Sequence, residues 1–271
     1  MRGSLLISLF VVFTSIGSVA LSQDRVFTFV YQSTVLQPGE RELEATNALR
    51  WGRESYFREF EHRLEFETGI VKNLQGAFYL NVVSSSSSQS TGENIGQSMT
   101  TETGVSFSSE WKWKLADPVA DPLGIGLYGE FSIGSTELEL EPKLLLDKAI
   151  GRSLVALNIA GEFESENAMN SDGQLMNTRE TTIEFAVGWS YQLEDHLCAG
   201  LELLNRNSVE DGAVSSSTLY LGPVVSFSGN GFWINFSVLP QIPALKGATS
   251  GALVLDDEQR WEARILISYA L

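Results

Sequence analysis

The sequence predicts an all-β fold, a single antiparallel up-and-down transmembrane β-barrel of about twelve strands preceded by a signal peptide. Three observations carry this. Segments of roughly ten residues repeat with strict apolar/polar alternation. At 43% hydrophobic residues, 19% charged and a mean hydropathy of +0.00, the chain is too polar for a helical membrane bundle. The only long apolar stretch lies at the very start, and no internal run reaches the ~20 apolar residues a spanning helix needs.

That first stretch reads as an export signal. Met1-Arg2 supplies the positive end, Leu5 to Ile16 the short apolar core, and Ser18-Val19-Ala20 or Ala20-Leu21-Ser22 a small-residue cleavage site, so residues 1–22 are set apart from the fold. The lone Cys198 offers no internal disulfide to an exported domain. A net charge of −16 excludes the basic face that a nucleic-acid binder needs. The length suits one domain if it is all-β.

The segment Val26 to Val35 is β-prone and is open to three readings: an extra strand, a periplasmic arm or a segment tucked into the barrel. An odd number of spanning strands is rare in bacterial barrels, so residues 23–40 are taken as non-spanning and 41–271 as the barrel.

Twelve strands are expected over 41–52, 57–71, 74–85, 101–114, 123–134, 136–147, 153–165, 179–193, 196–207, 217–228, 231–240 and 260–271. In the fifth, Ile125, Leu127, Phe131 and Ile133 share one face, and Gly124, Gly126, Tyr128, Glu130 and Ser132 the other. In the sixth, Glu137, Glu139, Glu141 and Lys143 alternate with Leu138, Leu140, Pro142 and Leu144; a helix would scatter those leucines around its axis. Links 86–100, 166–178, 208–216 and 241–259 follow odd-numbered strands and read as external loops, whereas Lys72-Asn73, Glu194-Asp195 and Gly229-Asn230 read as tight periplasmic turns. Several tryptophans and tyrosines fall near strand ends, where a membrane interface holds them. The last strand places Ile265, Ile267, Tyr269 and Leu271 on one face, similar to the C-terminal sorting signal read by the barrel-assembly machinery, although Leu271 stands where Phe is usual.

Leu36-Gln37-Pro38-Gly39-Glu40, Arg63-Leu64-Glu65-Phe66-Glu67-Thr68-Gly69, Lys114-Leu115-Ala116-Asp117-Pro118 and Leu127-Tyr128-Gly129-Glu130 resemble a family of uncharacterised bacterial outer-membrane β-barrels, a domain of unknown function. The resemblance implies a barrel in the bacterial outer membrane. It supplies no substrate and no catalytic residue.

With the apolar face toward lipid, the opposite face lines a lumen. The lumen candidates are Glu61, Arg63, Glu65, Glu67, Lys112, Glu130, Glu137, Glu139, Glu141, Lys143, Glu184, Glu202, Glu262 and Arg264, joined by Glu44, Arg50, Glu110, Lys114, Glu162 and Arg206. Unpaired ions cost several kcal/mol each in a dry core, so these need water or partners across the lumen. Twelve strands lie between barrels filled by side chains and barrels with an aqueous channel. The favoured reading is a narrow channel for small solutes, its acidic excess favouring cations. The alternatives are a filled structural barrel, or surface recognition through the external links. For Glu137, Glu139 and Glu141, neutralisation by Arg and Lys on neighbouring strands is favoured over a divalent ion. The calcium-like run Asn170-Ser171-Asp172-Gly173 lacks its flanking acids and is set aside. His62 and His196 lie on separate segments and suit no general base beside a serine. No zinc cluster or phosphate cradle appears, so no enzyme and no cofactor is expected. The partners implied are outer-membrane lipid and the assembly machinery, with the solute left open.

Overall fold

A computed structural model describes residues 25–90, 97–169 and 174–271. Among these, twelve strands close into one antiparallel barrel: β1 (Arg41–Trp51), β2 (Phe57–Val71), β3 (Leu74–Ser90), β4 (Gln97–Ala116), β5 (Gly124–Gly134), β6 (Glu137–Ile150), β7 (Ser153–Met169), β8 (Leu175–Glu194), β9 (Leu197–Glu210), β10 (Ala213–Gly229), β11 (Phe232–Lys246) and β12 (Trp261–Ala270). Each strand pairs with its sequence neighbours, and β1 pairs with β12 in the register Leu43↔Tyr269 to Trp51↔Trp261, which leaves no open edge. The sequence-derived signal peptide and the run Asn170–Gly173 lie outside the described residues.

Alternation decides the two faces. Along β5, Gly124, Gly126, Tyr128, Glu130 and Ser132 are buried, while Leu127, Phe131 and Ile133 are exposed. The same phase runs round the barrel: Phe66, Phe78, Phe107, Leu140, Phe185, Leu201, Phe227, Phe236 and Ile265 are all exposed. So continuous an apolar surface would aggregate in water and is what a bilayer requires. Aromatics border it. Trp51 stacks on Trp261 with ring centroids 6.1 Å apart at one end, and Trp111, Trp113, Trp189 and Tyr269 stand exposed toward the other.

The tight links Lys72-Asn73, Gly151-Arg152, Asp195-His196 and Asn230-Gly231 share one end with both barrel termini, marking that end as periplasmic. At the external end the structure corrects the expected loops. Much of 86–100 and 166–178 is strand, since β3 and β7 run for 17 residues and β4 and β8 for 20. About ten residues suffice to span, so both hairpins project past the membrane. The 208–216 link shrinks to the turn Asp211-Gly212, with φ of 49° and 76° as a two-residue hairpin turn requires. These extensions escape an alternation test because water wets both sides: Ser84–Ser88 pair with Thr103–Met99, and neither face needs to be apolar.

Residues 25–38 join none of the twelve strands. Phe27, Thr28, Val30 and Ser33 are at most 1% exposed, and they are enclosed by the wall near its periplasmic end.

Candidate functional site: the barrel interior

The N-terminal segment has few partners of its own, so its backbone polar groups turn to side chains of the wall. Glu202 on β9 takes the largest share. Its carboxylate accepts the backbone N–H of Thr28 (3.0 Å), Phe29 (2.8 Å) and Val30 (3.1 Å) and the hydroxyl of Thr28 (2.7 Å). Three successive N–H groups converging on one anion form a nest, here filled by a wall residue. Asn158 on β7 accepts from the Tyr31 N–H (2.6 Å) and donates to the Tyr31 carbonyl (2.9 Å). Asp147 on β6 accepts the Ser33 N–H and hydroxyl, Gln75 on β3 the Leu36 N–H, and Asn235 on β11 donates to the Arg25 carbonyl.

Small wall residues make room for this segment. A Cβ on Gly188 would lie 2.6 Å from the Phe27 ring, and one on Gly69 only 2.0 Å from the Gln37 carbonyl oxygen. Arg264 lies over the Phe29 ring at 3.9 Å and Lys143 over the Tyr31 ring at 4.5 Å. Phe27, Phe29 and Val30 complete an apolar cluster with Leu154, Leu204, Tyr220 and Leu239.

Above the segment, charges pair. Glu262 on β12, fully buried, meets Arg50 at 3.1 Å, Arg264 at 3.1 Å and Arg206 at 3.9 Å. Arg50 also holds Glu59 (2.6 Å) and Glu61 (2.7 Å), and Arg206 reaches Glu184 and Glu258. Glu258 belongs to the β11–β12 link, whose residues Val254, Glu258 and Gln259 fold inward and bond Tyr220 and Gln241. Arg63 sits 3.6 Å from Glu130, which also receives the Tyr128 hydroxyl (2.6 Å).

The β6–β8 wall is different. Lys143 pairs with Glu141 at 2.9 Å. Further out, Glu137 lies opposite Glu166, Glu139 opposite Glu164, and Glu164 opposite Glu180. Among the described residues Glu137 and Glu139 have no cation within ion-pair distance, and the partner of Glu141 is Lys143 of its own strand, so the expected neutralisation by Arg and Lys of neighbouring strands is met at none of the three. Like charges directly opposite on a sheet repel, and water between them is what makes the row tolerable.

The remaining sequence-derived candidates fall as follows. Glu65 is buried and Glu67 half-buried near the periplasmic end, Lys112 is half-buried on β4, and Ile265, Ile267, Tyr269 and Leu271 all face outward. His62 bonds Asn47 (2.7 Å) on the outer phase of β1 and β2, and His196 occupies a periplasmic turn. Asp147, Asn158, Gln75 and Asn235 escaped the sequence reading. Their inward parity was legible, but nothing in it said that a segment would lie against them.

Residues 19–271 match the model of a family described as a Family of unknown function (DUF6662). The chain belongs to that family. No curated protein sequence matches it. In fold, this family member is similar to the NanC porin (13% identity, 84% of this chain and 100% of that one, TM-score 0.53). It is likewise similar to the translocator domain of the autotransporter NalP from Neisseria meningitidis (10% identity, 86% and 89%, TM-score 0.55). The β domain of the Bordetella autotransporter BrkA gives 8% identity over 87% and 100%, with a TM-score of 0.51. At such identities the likeness is one of fold: the closed barrel of the bacterial outer membrane, in keeping with the exposed apolar belt.

Proposed function

We propose that this family member is a narrow outer-membrane channel for small solutes, with cations favoured and the periplasmic half of its lumen occupied by residues 25–36. The row Glu137, Glu139, Glu164 and Glu166 carries the reading. Carboxylates in such a line, with no cation at ion-pair distance among the described residues, call for a wet mouth and outer lumen, and fixed negative charge there concentrates cations. A porin is among the proteins of similar fold, which supports the reading but does not choose between conduction and secretion. In the same proposal, residues 1–22 are an export signal removed before assembly, residues 23–40 are non-spanning, and the outward residues Ile265 to Leu271 are read by the assembly machinery.

Planar-bilayer recording of the purified chain tests this. Small discrete conductances with a cation-shifted reversal potential in a salt gradient are expected, rising when residues 23–36 are deleted. A filled structural barrel is the second reading, favoured by the anchoring of Thr28 to Val30 on Glu202 and by the arginines gathered round Glu262. Absence of conductance from both the intact and the shortened chain, each folded, would select it.

A further inference from the structure

We propose that Glu44, Glu65 and Glu67 form a divalent-cation site of calcium type, set between the barrel wall and the N-terminal segment near the periplasmic end. Glu44 and Glu65 are direct cross-strand partners on β1 and β2, and Glu67 is the next inward residue along β2. One carboxylate oxygen from each lies within 4.8 Å of the other two. Oxygens no farther apart than this can all ligate one ion, since two on opposite sides of a calcium ion at ~2.4 Å are about that far apart. Magnesium demands near-ideal octahedral geometry and sheds its waters reluctantly, so it suits an all-protein carboxylate cluster less well.

A second observation is independent of this proximity. Glu65 is only 4% exposed, and its Oε1 accepts no hydrogen bond. A buried carboxylate oxygen without a donor is costly, and a metal ion satisfies it as fully as hydrogen bonds would. Charge points the same way. Among the described residues the one cation within ion-pair distance of the trio is Arg25, 3.7 Å from Glu44. With Glu42 and Lys112, which line the adjoining cavity, four carboxylates face two cations and two negative charges remain, which a divalent ion cancels. The neighbouring donors are partly spent, since Thr46 bonds Glu44 (3.0 Å) and Gln75 bonds Glu67 (2.5 Å).

The cluster also has space beside it. A cavity of about 40 Å³ is lined by Glu44, Glu67, Gln75 and Trp233, with Arg25 and Tyr31 of the N-terminal segment closing it. It holds roughly three waters, enough to complete the six to eight oxygen ligands calcium takes. All donors are oxygen, which selects a hard cation over zinc or copper.

The test uses the full mature chain folded in detergent micelles and freed of metal. Calorimetric titration with CaCl2 should show one saturable site, with MgCl2 weaker. Terbium should show emission on tryptophan excitation, displaced by calcium, and Trp233→Phe should dim that emission while leaving the calorimetric calcium site in place. Glu65→Gln, close to isosteric, should weaken calcium at least tenfold; Glu67→Gln serves if that variant does not fold, and Glu194→Gln at an exposed position should change nothing. Folded protein giving neither calcium heat nor terbium emission overturns the site, as does binding that survives both Glu65→Gln and Glu67→Gln. Binding is read without conductance, so the outcome stands apart from the channel proposal.

Discussion

Two regions of one lumen handle charge in opposite ways. Around Glu262, three arginines and further glutamates close into a paired cluster, and nearby Glu202 spends its carboxylate on the backbone of residues 28–30. On the outer part of β6–β8, Glu137, Glu139 and Glu164 face other glutamates across strands, with no cation at ion-pair distance among the described residues. A paired buried charge does its work through its partners, so losing one strands the rest. An unpaired charge facing water has no such dependants, and its loss alters the field rather than the fold. The comparison teaches that inward parity makes a residue part of the lumen, while pairing determines whether it fills the lumen or leaves it wet.

The sharpest way to break the comparison is Glu202→Ala. It leaves three buried N–H groups without an acceptor, each costing about 1–3 kcal/mol, so docking of the N-terminal segment should weaken by roughly 3 kcal/mol or more. Protease cleavage at Arg25 and a rise in conductance would report it; an N-terminal segment that stays protected would show that Glu202 is not its anchor. Next comes Glu262→Gln. Leaving Arg50, Arg206 and Arg264 partly unpartnered should cost about 3 kcal/mol in urea unfolding from lipid vesicles. Gly188→Val sets a branched side chain where Phe27 lies, and overpacking of this kind costs about 1–3 kcal/mol. The urea midpoint should fall, and should recover in the Phe27→Ala background; no recovery would place the strain elsewhere.

On the unpaired wall the expected stability change is smaller. Glu139→Gln combined with Glu164→Gln should alter unfolding by less than about 1 kcal/mol, by relief of repulsion, while moving the reversal potential toward neutrality. A large loss of stability would mean that these carboxylates are paired after all. The smallest effect is at the periplasmic β4–β5 turn. There the backbone N–H of Val119, with lesser help from Ala120 and Lys114, holds the Asp117 carboxyl below the usual aspartate range despite some desolvation. A depressed folded-state value gives stability that is present above the unfolded aspartate value and lost as pH falls through the folded one. Exposure limits it to a few tenths of a kcal/mol, read as a slightly flatter acid limb in Asp117→Asn.

Much of this architecture was legible in one dimension. Leu123 to Ile133 alternates because one side must meet lipid and the other must not, and that demand writes period two into the sequence wherever a strand crosses the membrane. Where the demand stops, legibility stops: Ser86–Ser88 and Leu175–Thr178 belong to strands that project past the membrane, and they read as loops.

The sequence by itself therefore determined the barrel, its twelve strands and the inward placement of its glutamates, because each follows from local periodicity. Tertiary structure alone decided which glutamates are neutralised, why inward Gly188 must be small, and that residues 25–36 occupy the lumen beneath Glu202. Those facts depend on groups as far as 212 residues apart meeting across a closed sheet, and no spacing along the chain encodes such a meeting.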